Sequence, residues 1–185
     1  MKKWGSVILA AGMLLAAGCG AGGDSTNRGV RMDMQEAATR ADDILDGTFA
    51  AIKPAVHWTH GRSTEGSCDV QRRRAVMTII SKERRGSFLG VIERYWASKG
   101  YKQLSVNTSE IPAMYYRTPD QFNVRVLIGS NGQAFFEVAT PCVDRSEVAP
   151  PKAETVGPNY ADGKIPFPDV TSDFWSAKSP LPSRT

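Results

Sequence analysis

The chain has 185 residues, three of them cysteines, and its 23 basic and 19 acidic residues give a formal net charge of +4. Lys2 and Lys3 lie in an N-terminal segment with the features of a cleaved signal, and without them 21 basic residues face 19 acidic ones, a net charge of about +2. A balance this close to neutral predicts no nucleic-acid partner.

Residues 1–18 have the pattern of a secretory signal peptide. Two lysines near the start precede an apolar run from Val7 to Ala17, and Gly18 follows it. The run is about half of the roughly 20 residues that a transmembrane helix needs. A positive start, a short apolar stretch and small residues before a break are typical of a cleaved export signal. We therefore expect the mature chain to lie outside the cytoplasm.

The junction LAAGC at residues 15–19 resembles the lipobox of bacterial lipoproteins. Leu15 lies one position further from the cysteine than in the commonest form of that motif. The resemblance implies that Cys19 becomes the first mature residue and carries a diacylglycerol thioether. Two or more acyl chains hold a protein stably at a bilayer where a single chain does not, so the expected partner of this end is the cell membrane. The alternative is an ordinary signal peptide followed by a free thiol.

Composition divides the rest of the chain into three parts. Residues 19–32 are small and polar after the cysteine, which predicts a flexible tether. Residues 33–145 carry the apolar patterns of one globular domain of common size. Residues 146–185 contain seven of the eleven prolines. They predict a disordered extension, because proline removes backbone donors and prevents regular strand pairing.

Aromatic side chains are spaced along this proline-rich tail, at Tyr160, Phe167, Phe174 and Trp175. An extended chain that is stiffened by proline and carries aromatic anchors can dock in a partner's groove. Trp175 is therefore a candidate binding residue. A further interpretation is that the tail wraps back over its own domain.

Two segments of the domain have the apolar spacing of helices. Asp33 and Glu36 form a capping box, and apolar residues follow at steps of three and four until Pro54 stops the helix. A second helix is predicted over residues 84–98, where Gly100 supplies the left-handed residue that ends it.

Strands are predicted over residues 56–60, 75–80, 101–106, 113–117, 122–128 and 134–140. The last four follow one another through short turns, one of them the Asn131-Gly132 dipeptide typical of hairpins, which predicts an antiparallel meander. Both helices must bury their apolar faces on one side of the sheet. The predicted fold is therefore an α+β two-layer sandwich, in which an antiparallel sheet of five to six strands carries two helices on one face.

Cys68 and Cys142 remain after Cys19 is assigned to the lipid anchor. Outside the cytoplasm, two thiols without a C-x-x-C spacing more often form a disulfide than a metal or redox site. The predicted bridge ties the loop before the second strand to the end of the last strand.

The two histidines of the chain, His57 and His60, flank Trp58 and Thr59. Imidazole is a frequent metal ligand and proton shuttle, and these residues with Trp58 are candidates for binding. A strand, however, sends residues three apart to opposite faces, which argues against joint metal ligation. The favoured interpretation is that Trp58 packs in the core while the histidines hydrogen-bond loop backbone.

Other residues that could carry chemistry have simpler explanations. Asp42, Asp43 and Asp46 lie mostly off the apolar face of the first helix, so we interpret them as a solvated surface rather than a metal site. Ser67 and Asp69 lie near each other but lack the nucleophile-elbow spacing. The sequence also has no phosphate loop, dinucleotide fingerprint or zinc-protease motif. We expect a protein that is not an enzyme and needs no cofactor.

Arg72, Arg73 and Arg74 precede a predicted buried strand, and Arg84 and Arg85 follow it. Charged residues on both sides of an apolar strand reduce the tendency of that segment to aggregate. The alternative is contact with anionic lipid headgroups, at about 1 kcal/mol per cation near the surface. The second interpretation makes the three consecutive arginines candidate binding residues.

Four short stretches resemble a family of small exported lipoproteins from actinobacteria without an assigned activity: W-T-H-G at 58–61, Cys68, R-R-G at 84–86 and T-P-C at 140–142. The resemblance covers roughly residues 34–143. It implies location and fold, and it brings no catalytic residues.

Taken together, these features predict a membrane-anchored, extracytoplasmic binding module. It would bind an envelope protein, a peptide or a cell-wall component through its open sheet face or its tail. The alternative is a carrier that holds a lipid or another apolar ligand between the sheet and the helices.

Overall fold

The computed structural model describes residues 32–160 and 163–179. The α-helices within these residues are α1 (Met34–Ala51) and α2 (Lys82–Ser98). The strands are β1 (Trp58–His60), β2 (Thr64–Glu65), β3 (Val70–Val76), β4 (Lys102–Asn107), β5 (Ala113–Arg117), β6 (Asn123–Ile128) and β7 (Ala134–Ala139). The predicted signal peptide, Cys19 and all of the predicted tether except Met32 lie outside the described residues.

The seven described strands form one antiparallel sheet in the order β1-β3-β7-β6-β5-β4, and the short β2 pairs with the start of β3. Both helices pack on the same side of this sheet. Phe136, on the helical side of β7, lies 4.8 Å from the ring of Phe49 in α1 and 6.3 Å from that of Phe88 in α2, measured between ring centroids. The predicted α+β two-layer sandwich is confirmed, with one strand more than the predicted maximum.

The first helix begins and ends where the sequence predicts. The carboxylate of Asp33 accepts a hydrogen bond of 2.8 Å from the backbone N–H of Glu36, and the Glu36 carboxylate accepts one of 3.2 Å from the backbone N–H of Asp33. This capping box satisfies two backbone donors at the exposed helix start. Neither α1 nor α2, the α-helices of the described residues, is both long and apolar enough to cross a membrane.

The third strand lies further towards the N-terminus than predicted. The sequence predicts a strand over residues 75–80 with Arg72, Arg73 and Arg74 outside it, whereas β3 spans Val70–Val76 and contains all three. The side chains of Arg72 and Arg74 are buried on the helical side of the sheet. Charged residues were expected to lie outside the strand, and this expectation fails because acidic residues of α1 pair with them.

The turns use the residues that their backbone requires. Gly100, after α2, has a φ of +74°, the left-handed conformation expected of a helix stop. Between β6 and β7 the chain reverses through a short 3₁₀ turn, Ser130–Gly132, in which Asn131 and Gly132 have φ values of +58° and +73°. Positive φ at both residues is the reason that Asn-Gly is favoured in tight hairpins.

The described residues of the tail, 146–160 and 163–179, pack against the domain, as in the interpretation that the tail wraps back over it and not as a disordered extension. The tail first runs along β1, where the backbone N–H of Trp58 donates to the carbonyl of Val156. It then pairs in parallel with the segment after β3 through Thr78 and Val170. Five residues further on, Trp175 is fully buried in the core. The tail therefore covers the β1 edge of the sheet, which would otherwise expose unpaired backbone groups.

Candidate functional site

A groove of about 280 Å³ lies on the face of the sheet that the helices leave uncovered. We call it the outer-face groove. It is lined by outward-facing residues of β3, β6 and β7, by the loop after β1 and by one residue of the tail. Its principal lining side chains are Arg62, Arg73, Arg125, Leu127, Phe135 and Ile165.

Strand alternation explains why these residues share one face. In β3, Arg72 and Arg74 point towards α1, so Arg73 points away from it. The sheet register then places Arg73 beside Glu137 of β7, and Glu137 beside Arg125 of β6. The three charged side chains form a row across three adjacent strands.

Two guanidinium groups in this row share one carboxylate oxygen. The Oε2 atom of Glu137 lies 2.5 Å from Nε of Arg73 and 3.1 Å from Nη2 of Arg125. Arg73 also donates a hydrogen bond of 2.6 Å to the side-chain oxygen of Gln71. The carboxylate is 14% exposed, whereas the arginines are 37% and 39% exposed. The row therefore has a net positive charge and turns guanidinium N–H groups towards solvent.

An apolar row lies next to the charged one. Leu127 of β6 pairs with Phe135 of β7, and Phe135 pairs with Ala75 of β3. Ile165 of the tail lines the same groove. Next to it, the side-chain amide of Gln133 donates a hydrogen bond of 3.0 Å to the carbonyl oxygen of Pro166. A concave surface with an apolar floor and a few polar groups is the usual form of a small-molecule or peptide-end site.

Gly61 brings the loop after β1 close to the groove. Its backbone N–H donates a hydrogen bond of 2.8 Å to the carbonyl of Arg73, and a Cβ atom at this position would lie 2.9 Å from the Cβ of Arg73. Only a residue without a side chain permits this approach. The loop therefore places Arg62 at one end of the groove, where its exposed side chain adds a third positive charge.

The three consecutive arginines have different surroundings, and burial of two of them contradicts the alternative in which all three contact lipid headgroups. Arg72 is buried, with Nε 3.3 Å from the Asp42 carboxylate and a hydrogen bond of 2.6 Å to the carbonyl of Ala149 in the tail. Arg74 is also buried, with Nη2 2.5 Å from Asp46. Of the three, only Arg73 reaches the outer face.

The acidic residues of α1 are not the uniformly solvated surface that the sequence predicts. Asp43 is exposed, but the side chain of Asp42 is only 15% exposed beside Arg72. Burial raises the pKa of the Asp42 carboxyl above its ordinary value, and the charges of Arg72, Arg74 and His60 act in the opposite direction. This pairing holds α1 against β3. Among the described residues, no group of three or more His, Cys, Asp or Glu side chains is arranged so that it could hold a metal ion.

The two histidines do not converge. His57 is exposed, whereas His60 is buried with Nε2 2.7 Å from the carbonyl oxygen of Ala153 in the tail. Trp58 between them packs against Phe49 with ring centroids 5.3 Å apart. These positions confirm that Trp58 is a core residue. The ring of His60 forms a hydrogen bond with the backbone of the tail at Ala153.

The Cys68–Cys142 disulfide is formed, with the two Cα atoms 4.8 Å apart and the cysteines 74 positions apart in sequence. It joins the loop before β3 to the segment after β7. The backbone N–H of Val143 donates a hydrogen bond of 2.7 Å to the carbonyl of Cys68. The bridge therefore closes the end of the sheet at which α1 begins, since Asp33 forms a backbone bridge with Asp144 there.

Trp175 is a core residue rather than an exposed docking anchor. Its ring packs edge-on against Phe88, with centroids 5.2 Å apart. The space between sheet and helices is filled by large side chains, including Phe49, Phe88, Trp96, Phe136 and Trp175. An apolar ligand carried between the layers would have to displace some of them.

Comparison of the chain with known proteins finds no matching family model, curated protein or solved structure. The candidate site therefore rests on its own geometry. Sequence reasoning did not find Arg62, Arg125 or Ile165, because they join the groove only through sheet register and the path of the tail. One signal was present: Leu127 and Phe135 are apolar at outward positions of strands whose neighbouring outward residues are polar.

Proposed function

We propose that this chain is a non-enzymatic binding module of the cell envelope that engages its ligand through the outer-face groove. One observation carries the proposal: two partly open guanidinium groups stand beside an apolar row on the sheet face without helices. A charged group next to an apolar surface fixes both the position and the orientation of a ligand.

The scaffold around the groove is suited to binding without large rearrangement. The helices cover the opposite face, the disulfide closes one end of the sheet, and the tail protects the β1 edge. Sites on rigid strands hold their side chains more accurately than sites on loops. The groove residues Arg73, Arg125, Leu127 and Phe135 all lie on strands.

The proposed location follows from the lipobox-like sequence before Cys19. A lipid on this cysteine would anchor the protein on the extracytoplasmic face of the membrane, and residues 20–32 would span at most about 45 Å when fully extended. Labelled fatty acid should enter the wild-type protein but not the Cys19→Ser variant. Equal labelling of both proteins would refute the anchor.

Binding at the groove is tested by site-specific photocrosslinking in cells that make the anchored protein. A benzophenone amino acid replaces Leu127 in the groove or, as the matched control, Leu104, which is 47% exposed on β4 at the other edge of the same sheet. We expect an adduct of reproducible mass at position 127 that is lost when Arg125→Glu is added. The proposal fails if position 127 forms no adduct, or if both positions form the same one.

A further inference from the structure

We infer that the outer-face groove binds a carboxylate that is attached to an apolar group, as at the C-terminus of a peptide whose last residue is apolar. The inference rests on the proposed binding function and narrows it to one class of ligand. It follows from the donors, the charge and the spacing of the groove.

The hydrogen-bond donors of the groove are only partly used. Of the five N–H donors of a guanidinium, the contacts found in the described residues use one on Arg125, to Glu137, and two on Arg73, to Glu137 and Gln71. Arg62 adds an exposed guanidinium. A planar guanidinium with two adjacent free donors matches the two oxygens of a carboxylate.

The charge of the groove selects an anion. Glu137 is the acidic residue among the lining residues, against four arginines, of which Arg74 is paired with Asp46 on the helical side. Arg73 and Arg125 already bind one carboxylate, that of Glu137. The carboxylate of a ligand could bind the remaining N–H donors of the same two guanidinium groups. A neutral or cationic ligand would leave the excess positive charge uncompensated.

The spacing of the two rows favours a ligand whose charge and apolar group lie close together. On each strand the charged and apolar residues are two positions apart, as Arg125 and Leu127 are on β6 and Glu137 and Phe135 are on β7. Two residues of an antiparallel strand span about 7 Å. In a terminal residue the carboxylate and the side chain branch from the same Cα and lie closer together than this, and the long, flexible arginine side chains can reach over the difference.

The volume of about 280 Å³ is sufficient for the side chain and carboxylate of a single terminal residue. A phospholipid headgroup, the other anion expected near a membrane, would carry its apolar part into the bilayer. Here the apolar row lies within the sheet face, next to the arginines. The observations therefore favour the peptide carboxylate, and anionic lipid becomes an outcome of the test.

The test titrates the purified full chain carrying Cys19→Ser, followed by the NMR signals of the groove amides. The probes are N-acetyl-phenylalanine, its C-terminal amide, which keeps the shape but removes the charge, and sodium acetate, which keeps only the charge. We expect the acid to bind at least tenfold more tightly than the amide or acetate, with shifts at Leu127 and Phe135. Equal binding of acid and amide would overturn the inference.

Variants separate the charged row from general effects of substitution. Arg125→Ala should weaken binding of the acid at least tenfold and Arg125→Lys by an intermediate factor, because an ammonium group lacks the planar fork. Arg94→Ala, at an exposed position of α2 away from the groove, is the matched control and should leave the affinity unchanged. An equal loss in Arg94→Ala and Arg125→Ala would contradict the assignment.

The two proposals fail in different ways. If the crosslink at position 127 forms in cells but N-acetyl-phenylalanine does not bind, the groove is a site and the carboxylate assignment is wrong. Binding to phosphatidylglycerol vesicles, abolished by Arg125→Ala and without binding of the acid, would assign the groove to lipid and overturn the inference. Loss of both the crosslink and the titration would refute the proposed function itself.

Discussion

The indole Nε1 of Trp175 donates a hydrogen bond of 2.6 Å to the carbonyl oxygen of Pro54, 121 residues earlier in the chain. The ring is fully buried and its face is covered edge-on by Phe88. A buried indole needs a partner for its N–H, and the carbonyl of Pro54, in the segment that follows α1, is that partner. The last described segment of the tail is therefore part of the core, although its composition is that of a disordered extension.

Replacing this ring should be among the most destabilising single changes in the molecule. We expect Trp175→Ala to lower the free energy of unfolding by about 3–5 kcal/mol, because it leaves a large cavity and an unpaired carbonyl. Phe167→Ala is the matched control, since this tail aromatic is 66% exposed and should change the value by less than about 0.5 kcal/mol. Urea unfolding followed by circular dichroism measures both. Similar values for the two variants would contradict the core assignment of the tail.

Local patterns made much of the fold predictable. The capping box at Asp33, the helix stop at Gly100 and the Asn131-Gly132 hairpin are each determined by a few neighbouring residues. Their structures match the prediction because local hydrogen bonds and backbone preferences decide them. The antiparallel order of β4 to β7 follows from the same short turns.

Contacts between distant residues decided what the sequence could not show. Arg72 and Arg74 are buried because Asp42 and Asp46, about 30 residues earlier, pair with them. Ile165 joins the groove only because the tail is fixed across the sheet. Propensity carries no information about such pairings, so the buried arginines were unexpected, and the packing of the described tail residues was expected only as a secondary interpretation.

The disulfide should contribute substantially to stability. In the chain-entropy model a disulfide between cysteines 74 positions apart stabilises the fold by roughly 4 kcal/mol. We expect the double variant Cys68→Ser/Cys142→Ser to lose up to that amount in urea unfolding. Dithiothreitol should lower the stability of the wild-type protein to the same level and leave the double variant unchanged. A wild-type protein whose stability does not respond to the reductant would contradict a contribution of this size.

Two glycines should respond in opposite directions to alanine. Gly132 has a φ of +73°, and a Cβ there would overlap the backbone carbonyl oxygen of Ile80, so Gly132→Ala should cost about 1–3 kcal/mol. Gly86, in α2, has nothing within 4 Å of a Cβ. Gly86→Ala should therefore stabilise the protein by about 0.5–1 kcal/mol, because alanine favours the helix. Thermal unfolding of the two variants measures both changes in stability. A lower stability in both variants, or an unchanged stability in Gly132→Ala, would contradict the prediction.

Asp42 should give the stability a defined pH dependence. Burial raises the pKa of its carboxyl in the folded state above its ordinary value of 3.8, so the folded protein binds more protons than the unfolded chain over the interval just above that value. Stability from this group is then lost as the pH rises through the folded pKa. We expect the free energy of unfolding of the wild-type protein, relative to that of Asp42→Asn, to fall as the pH rises across this interval. Urea unfolding at several pH values measures it. Asp43→Asn, which removes an exposed carboxylate from the same helix, is the matched control for net charge. If the relative stability of the wild-type protein rises with pH instead, the charge of Arg72, and not burial, determines the pKa of the Asp42 carboxyl.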